Sequence, residues 1–304
     1  MADSKISAWI DAARLRTLPL SVSGILVGSG YAVYHDCFDS LIFFLAILTT
    51  LLFQILSNFA NDYGDGVKGT DNDERLGPQR AYQSGKITKP EFKTGLIITS
   101  MLSFFSAAGL ILVAFGFDNA LMSFTFFILG LIAIWAAIKY TVGDSAYGYR
   151  GFGDVFVFLF FGLVSVCGSY VLHAKTIDWQ IYLGGAGIGL LSAAVLNLNN
   201  MRDINSDKNA GKNTLVVALG QLKAKYYHTL LIGFGILSLI GFYTVAGFSK
   251  WIYLSMITMF LLIKHLIFVQ KNENPKQLDQ ELKKVALSTF GIALLFFVIQ
   301  FFVK

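Results

Sequence analysis

Asp62, Asp65, Asp71, Asp73 and Glu74 crowd into NFANDYGDGVKGTDNDER, residues 58–75, directly behind an uncharged apolar run that ends near Leu56. If the helix of that run continues, Asn58, Asp62 and Asp65 (i, i+4, i+7) share one face. A second stretch, NNMRDINSDKNAGKNTL at 199–215, sets Asn199, Asp203 and Asp207 at i, i+4, i+8, again on one face. The separation from Asn58 to Asn199 equals that from Asp62 to Asp203, which suggests an internal duplication of a four-helix unit. Carboxylates crowded at a helix end raise one another's pKa and take up protons unless a cation compensates. Mg²⁺ fits that role, because it prefers oxygen ligands, keeps several waters and is commonly held by one or two carboxylates together with substrate phosphates. Two facing clusters can clamp a diphosphate, with Asn58 and Asn199 reaching metal-bound water or phosphate oxygens. Lys68, Arg75 and Arg80 in the first stretch, and Arg202, Lys208 and Lys212 in the second, can neutralise a departing diphosphate. Asp73 and Glu74 read as solvated charges.

The elements that must position these groups are membrane helices. The chain is 55% hydrophobic and only 14% charged, with a mean hydropathy of +0.61, against roughly 25% charged residues in soluble domains. Uncharged stretches recur near 17–35, 40–60, 94–117, 119–138, 155–174, 179–201, 226–249, 251–263 and 285–303. Most reach the ~17 to 25 residues that a spanning helix needs, and the eighth extends past Lys264 and His265 to about Val269. The expectation is an all-α integral membrane protein of nine spans in a single domain over 1–304, with motif loops at about 57–91 and 199–225. The N-terminal segment lacks a signal-peptide pattern. Ile6, Trp9, Ile10 and Ala13 at helical spacing mark residues 1–16 as a helix lying on the membrane surface. With the N-terminus cytoplasmic, only Lys175, Lys250 and Lys304 of the 24 Lys and Arg fall on the far side. That asymmetry places both acidic loops at the cytoplasmic face of the cell inner membrane. The net charge of +5 is spread over span flanks, which leaves no basic face for nucleic acid.

Other signals are weaker. GKNT at 211–214 lacks the P-loop glycine five residues before Gly211, where Ser206 stands. His35, His173, His228 and His265 fall at span ends without metal-ligand spacing and read as interfacial or packed. Cys37 and Cys167 make neither a disulfide framework nor a metal motif. A divalent-cation transporter is the reading of a different class. It is disfavoured because transport sites put ionisable groups near the bilayer midplane, and all 19 Asp and Glu lie outside the central parts of the spans.

NDYGDGVKGTD at 61–71 and NNMRDINSDKNAGKNTL at 199–215 resemble the two aspartate-rich signatures of the UbiA superfamily of intramembrane prenyltransferases, and the nine-span layout agrees over essentially the full chain. GPQRA at 77–81, YTVGDSAYGYRGFGDVFVFLFFG at 140–162 and RLRTLPLSVSGILVG near the start resemble the branch that prenylates 1,4-dihydroxy-2-naphthoate in menaquinone biosynthesis. The resemblance implies helices around a central apolar cavity. It also implies Mg²⁺-dependent transfer of a polyprenyl chain from its diphosphate to dihydroxynaphthoate with loss of CO₂. In that scheme Asp62, Asp65, Asp203 and Asp207 hold Mg²⁺, with Asp71 assisting. Tyr140, Tyr147, Tyr149, Arg150 and Asp154 position the acceptor, Arg150 meeting its carboxylate and Asp154 a phenolic proton. With 28 Phe, 13 Tyr and 4 Trp, aromatic faces are available to an allylic cation. Other acceptors of the superfamily, such as 4-hydroxybenzoate or homogentisate, are the rival expectation.

Overall fold

The computed structural model describes residues 2–70, 76–77 and 80–303, and all regular structure among them is helical. A short helix α1 (Ala2–Ala13) ends at Arg14, whose left-handed backbone (φ 51°) turns the chain into the first span, α2 (Leu18–Tyr34). The remaining spans are α3 (Ser40–Lys68), α4 (Lys89–Phe115), α5 (Ala120–Lys139), α6 (Gly153–Ala174), α7 (Ile181–Arg202), α8 (Gln221–Val245), α9 (Lys250–Lys271) and α10 (Leu278–Gln300). Among the described residues, nine helices are long and apolar enough to cross a membrane. Local chemistry fixes their ends. The Asp39 carboxylate accepts from the Leu41 and Ile42 amides to start α3. Thr88 and Glu91 form a capping box for α4. Gly69 (φ 73°) takes the left-handed turn that ends α3.

Two boundaries differ from the sequence expectation in a way that matters. α3 runs to Lys68 and α7 to Arg202, so the opening residues of both acidic stretches are helical rather than loop. Burying a backbone turn at the membrane surface is cheapest when its hydrogen bonds stay inside a helix. The N-terminal helix also docks more tightly than a surface-lying segment would. Ala8, Ala12 and Ala13 are buried, Trp9 lies against Phe59 and Phe92, and Lys5 pairs with Glu91 at 2.5 Å, whereas Ile6 and Ile10 are exposed.

α2 and α7 form the centre of the bundle, with most of their residues buried, whereas in α5 only Ala136 is buried. Glycines let backbones approach there. In α6, Phe158–Val164 wind as a π-helix, and Gly162 faces Gly185 and Gly189 of α7, where an added Cβ would lie 2.5 Å from the Gly185 carbonyl. At Gly28 a Cβ would meet the Val166 carbonyl at 2.2 Å. Gly28→Ala should therefore lower stability in detergent by about 1–3 kcal/mol through overpacking. Gly109→Ala, whose Cβ meets nothing within 4 Å, should hold or raise the thermal midpoint.

Candidate active site

The two acidic stretches meet at one end of the bundle around a polar cavity of about 180 Å³. Asp65 reaches it from α3, Asn199 and Asp203 from the end of α7, and Asp207 and Lys212 from the turn that follows. The Lys212 ammonium stands between the stretches, 3.7 Å from Asp65 and 3.9 Å from Asp207. Its backbone amide donates to the Asp207 carbonyl at 2.8 Å, which closes the turn. Tyr149, from the connection after α5, donates to Asp65 at 2.7 Å and accepts from Thr70 at 2.6 Å. Burial, reinforced by the Asp65 charge, pushes the Tyr149 hydroxyl well above its usual range, so it remains a donor. The Asn213 amide donates to the Tyr149 carbonyl, which ties this connection to the second acidic stretch.

The register of the first stretch is not the one its spacing suggests. Asn61 and Asp65 line the cavity, matching Asn199 and Asp203 at i, i+4, so the correspondence between the halves shifts by three residues. Asn58 is turned toward the N-terminal segment. Its amide donates to the Ala13 carbonyl at 2.8 Å and to Thr17 at 3.1 Å. Asp62, whose side chain is 2% exposed, lies beneath the cavity rather than on its wall. It accepts from Arg14, and Arg80 approaches the same oxygen at 3.5 Å. Arg14 and Arg80 do line the cavity. Arg14, Asn61, Thr70 and Ser206 are cavity residues that sequence reasoning missed. The repeated Asn-x-x-x-Asp spacing would have found Asn61.

The other predicted residues are dispersed. Arg202 is enclosed (1% exposed) and binds Asp203 through Nε at 2.9 Å and Nη2 at 2.6 Å. Lys208 is exposed, and Lys68 lies over the Tyr149 ring at 3.9 Å. Asp71 and Arg75, with Asp73 and Glu74, lie outside the described residues. Arg150 is exposed, and Asp154 is buried against α8, where it accepts from the Tyr227 hydroxyl at 3.3 Å. Neither lines the polar cavity or the apolar one below it.

That apolar cavity, about 330 Å³, runs down among α2 to α6 toward Ile25, Ala46, Ile111, Phe126 and Leu172. Tyr140 and Tyr147 are on its wall, with Tyr147 stacked on Phe156 at 3.9 Å and donating to the Ala136 carbonyl. Burial, then the charges of Asp154, Asp65 and Asp207, push the Tyr140 hydroxyl upward. Gln54, Asn61, Tyr140, Val157, Phe161 and Leu196 border both cavities and form the neck between them. The π-turn of α6 brings Val157, Phe160, Phe161 and Val164 to the cavity together. Two of the histidines, expected to be interfacial or packed, meet inside the protein. His228 and His265 share a hydrogen bond of 2.7 Å, and His265 reaches Glu281 at 2.6 Å. A long separation in sequence hides this contact.

A charged, oxygen-rich chamber that shares an aromatic wall with an apolar one among the spans suits a polytopic enzyme whose substrate has an anionic head and a greasy tail. Residues 21–299 match the UbiA prenyltransferase family, and the chain belongs to that family and is a prenyltransferase. It is similar to the 1,4-dihydroxy-2-naphthoate octaprenyltransferase of Haemophilus influenzae, with 45% identity over 97% of this chain and 96% of the relative. The Escherichia coli protein of the same description is 43% identical over 96% and 94%. Among solved structures, a UbiA homolog from Aeropyrum pernix K1 superposes with a TM-score of 0.72 at 14% identity, covering 94% of this chain and 98% of that one. A UbiA homolog from Archaeoglobus fulgidus bound to DMAPP and Mg²⁺ gives a TM-score of 0.65 at 16% identity, covering 95% and 99%. The fold is therefore that of this family of multi-pass membrane proteins.

Removing the carboxylate that separates two enclosed guanidinium groups should be costly. Asp62→Ala is expected to destabilise the fold by about 3 kcal/mol or more. Asp62→Glu, which keeps the charge, should lose less, as read from unfolding midpoints in detergent.

Proposed function

We propose that this chain transfers a polyprenyl group from its diphosphate to 1,4-dihydroxy-2-naphthoate, with Mg²⁺ as cofactor, at the cytoplasmic face of the cell inner membrane. The observation that carries the reading is the adjacency of the polar cavity and the apolar one, which share Tyr140 and Phe161 on their walls. The relatives described as naphthoate octaprenyltransferases over nearly the whole chain support the choice of acceptor, and the few basic residues on the far side support the orientation.

The donor set fits a hard divalent ion, since Asp65, Asp203 and Asp207 share the cavity with the carboxamides of Asn61 and Asn199. Among the described residues no three His, Cys, Asp or Glu side chains form a group that could hold an ion by themselves. Asp65, Asp203 and Asp207 would hold the divalent ion, and when bound Mg²⁺ supplies positive charge that stabilises the diphosphate as a leaving group. Arg14, Arg80 and Lys212 bind phosphate oxygens in this reading, and Asp62 orients the two arginines rather than the metal.

Bonding electrons of the allylic C–O bond leave with the diphosphate, and the electron-poor allyl carbon rests in the neck. Phe161 and Tyr140 face it there with π-electrons, and the apolar walls keep water away. The ring carbon bearing the carboxylate forms the new C–C bond. The electron pair of the C–CO₂⁻ bond returns to the ring as CO₂ departs. That exchange leaves no ring proton to remove, and Asp154, expected to accept a phenolic proton, packs against Tyr227 outside both cavities. The product is the hydroquinone, demethylmenaquinol.

Membranes containing the protein should convert labelled polyprenyl diphosphate and dihydroxynaphthoate to product in the presence of Mg²⁺. Product with 4-hydroxybenzoate but none with dihydroxynaphthoate would overturn the acceptor. Asp65→Asn and Asp203→Asn are expected to lower turnover about 100-fold or more. Asp62→Asn should instead raise the KM for the prenyl diphosphate while leaving the Mg²⁺ requirement in place.

A further inference from the structure

Arg202 is the most enclosed cation of the second acidic stretch, and it does not itself line the cavity. Its Nε and Nη2 grip both oxygens of Asp203, and Nη2 also donates to Asn199 at 2.8 Å. Its remaining nitrogen, Nη1, donates at 2.5 Å to Asp279, in the first turn of α10 and far along the chain. Arg16, just after the left-handed turn that leaves α1, approaches the other oxygen of Asp279 at 4.0 Å. Asp203 therefore does not stand alone. It is one end of a row, Asp203–Arg202–Asp279–Arg16, that joins the cavity to the last span and to the N-terminal segment.

The same turn of α10 is fixed from behind and forms part of the cavity. Glu281 is enclosed and bound by His265 at 2.6 Å and by Lys284, and His265 is held by His228. Leu282 lies on the polar cavity wall. A shift of this turn would move Asp279, Glu281 and Leu282 together.

The hydrogen bonds give Asp279 its role. The Arg202 guanidinium is held on one side by Asp203 and Asn199 and on the other by Asp279, whose second oxygen faces Arg16. Without the Asp279 carboxylate the Nη1 end of Arg202 loses its anchor on α10, and the fork that fixes both oxygens of Asp203 is held from one side only. We infer that Asp279 is a positioning residue for Asp203, acting through Arg202 to hold that carboxylate's orientation toward a divalent cation. Groups of this kind, one step removed from a metal ligand, typically change metal affinity about 10- to 100-fold when removed. The inference rests on the prenyltransferase reading above.

The test is Mn²⁺ binding to the purified full-length protein in detergent, followed by the loss of the free-ion paramagnetic resonance signal. Asp279 is 38% exposed, so Asp279→Asn exchanges a group at the protein surface and should fold. It should weaken Mn²⁺ binding about 10-fold or more, and raise the Mg²⁺ needed for half-maximal turnover while leaving the KM for acceptor within twofold. Asp279→Glu, which keeps the charge, should restore most of the affinity. In an Arg202→Gln background, Asp279→Asn should make no further difference, because the link is already cut. This comparison also serves if the single variant cannot be purified. Mn²⁺ affinity equal to wild type in Asp279→Asn, or an equally large loss from Asp279→Asn in the Arg202→Gln background, would overturn the inference. Failure of the wild-type protein to form prenylated naphthoate would instead count against the proposed reaction.

Discussion

Fixed anions at the mouth of an apolar bundle need fixed cations, and this constraint organises the structure. The described carboxylates around the polar cavity face positive partners: Asp62 has Arg14 and Arg80, Asp65 and Asp207 share Lys212, and Asp203 has Arg202. Without them the acidic groups would take up protons or repel one another apart at the edge of the low-dielectric interior. With them, three different parts of the chain are drawn to one point. The partners are unequal in kind. Arg202 and Arg14 are hydrogen-bonded to their carboxylates, whereas the Lys212 ammonium stands 3.7 Å and 3.9 Å from its own. A salt bridge at that longer range yields more readily to a competing cation or anion than a fork of hydrogen bonds does.

The helices serve the same end. α3 and α7 continue past their apolar parts so that Asn61, Asp65 and Asn199 stand on regular helix rather than on loop, with Asp203 capping the end of α7. Rigid placement of this kind is what a site needs when it works by electrostatic stabilisation, because dipoles and charges that must reorganise lose much of their effect. Below them, glycines pull α6 onto α7, and the π-turn in α6 brings adjacent residues to a single wall. The polar chamber and the apolar one are thereby joined at a narrow aromatic neck. An anionic head and a hydrocarbon tail can then occupy their preferred surroundings at once.

Much of this was readable in the sequence. Nine apolar stretches, the two acidic segments on one side and the family resemblance all follow from composition, spacing and motif, because hydrophobic length and charge asymmetry are properties of single segments. Helix rotation is not such a property. Asn58, Asp62 and Asp65 share a face on paper, but the helix turns so that Asn61 and Asp65 meet the cavity while Asn58 and Asp62 meet the N-terminal segment. A uniformly apolar helix gives no amphipathic signal to fix that angle. Pairings between distant segments were equally hidden. Asp279 sits among ordinary polar residues at the start of the last span, and the contact of His228 with His265 and Glu281 joins three helices whose sequences do not announce it.

The central claim is that one diphosphate is held between the two acidic segments while its tail passes through the neck. A structure determined with Mg²⁺ and an unreactive thiodiphosphate analogue of the prenyl donor tests it most directly. The account predicts phosphate density between Asp65 on one side and Asp203 and Asp207 on the other, with the chain running past Tyr140 and Phe161 toward Phe126. Phosphate bound outside this cavity, or a tail lying along the outer surface of the bundle, would contradict it.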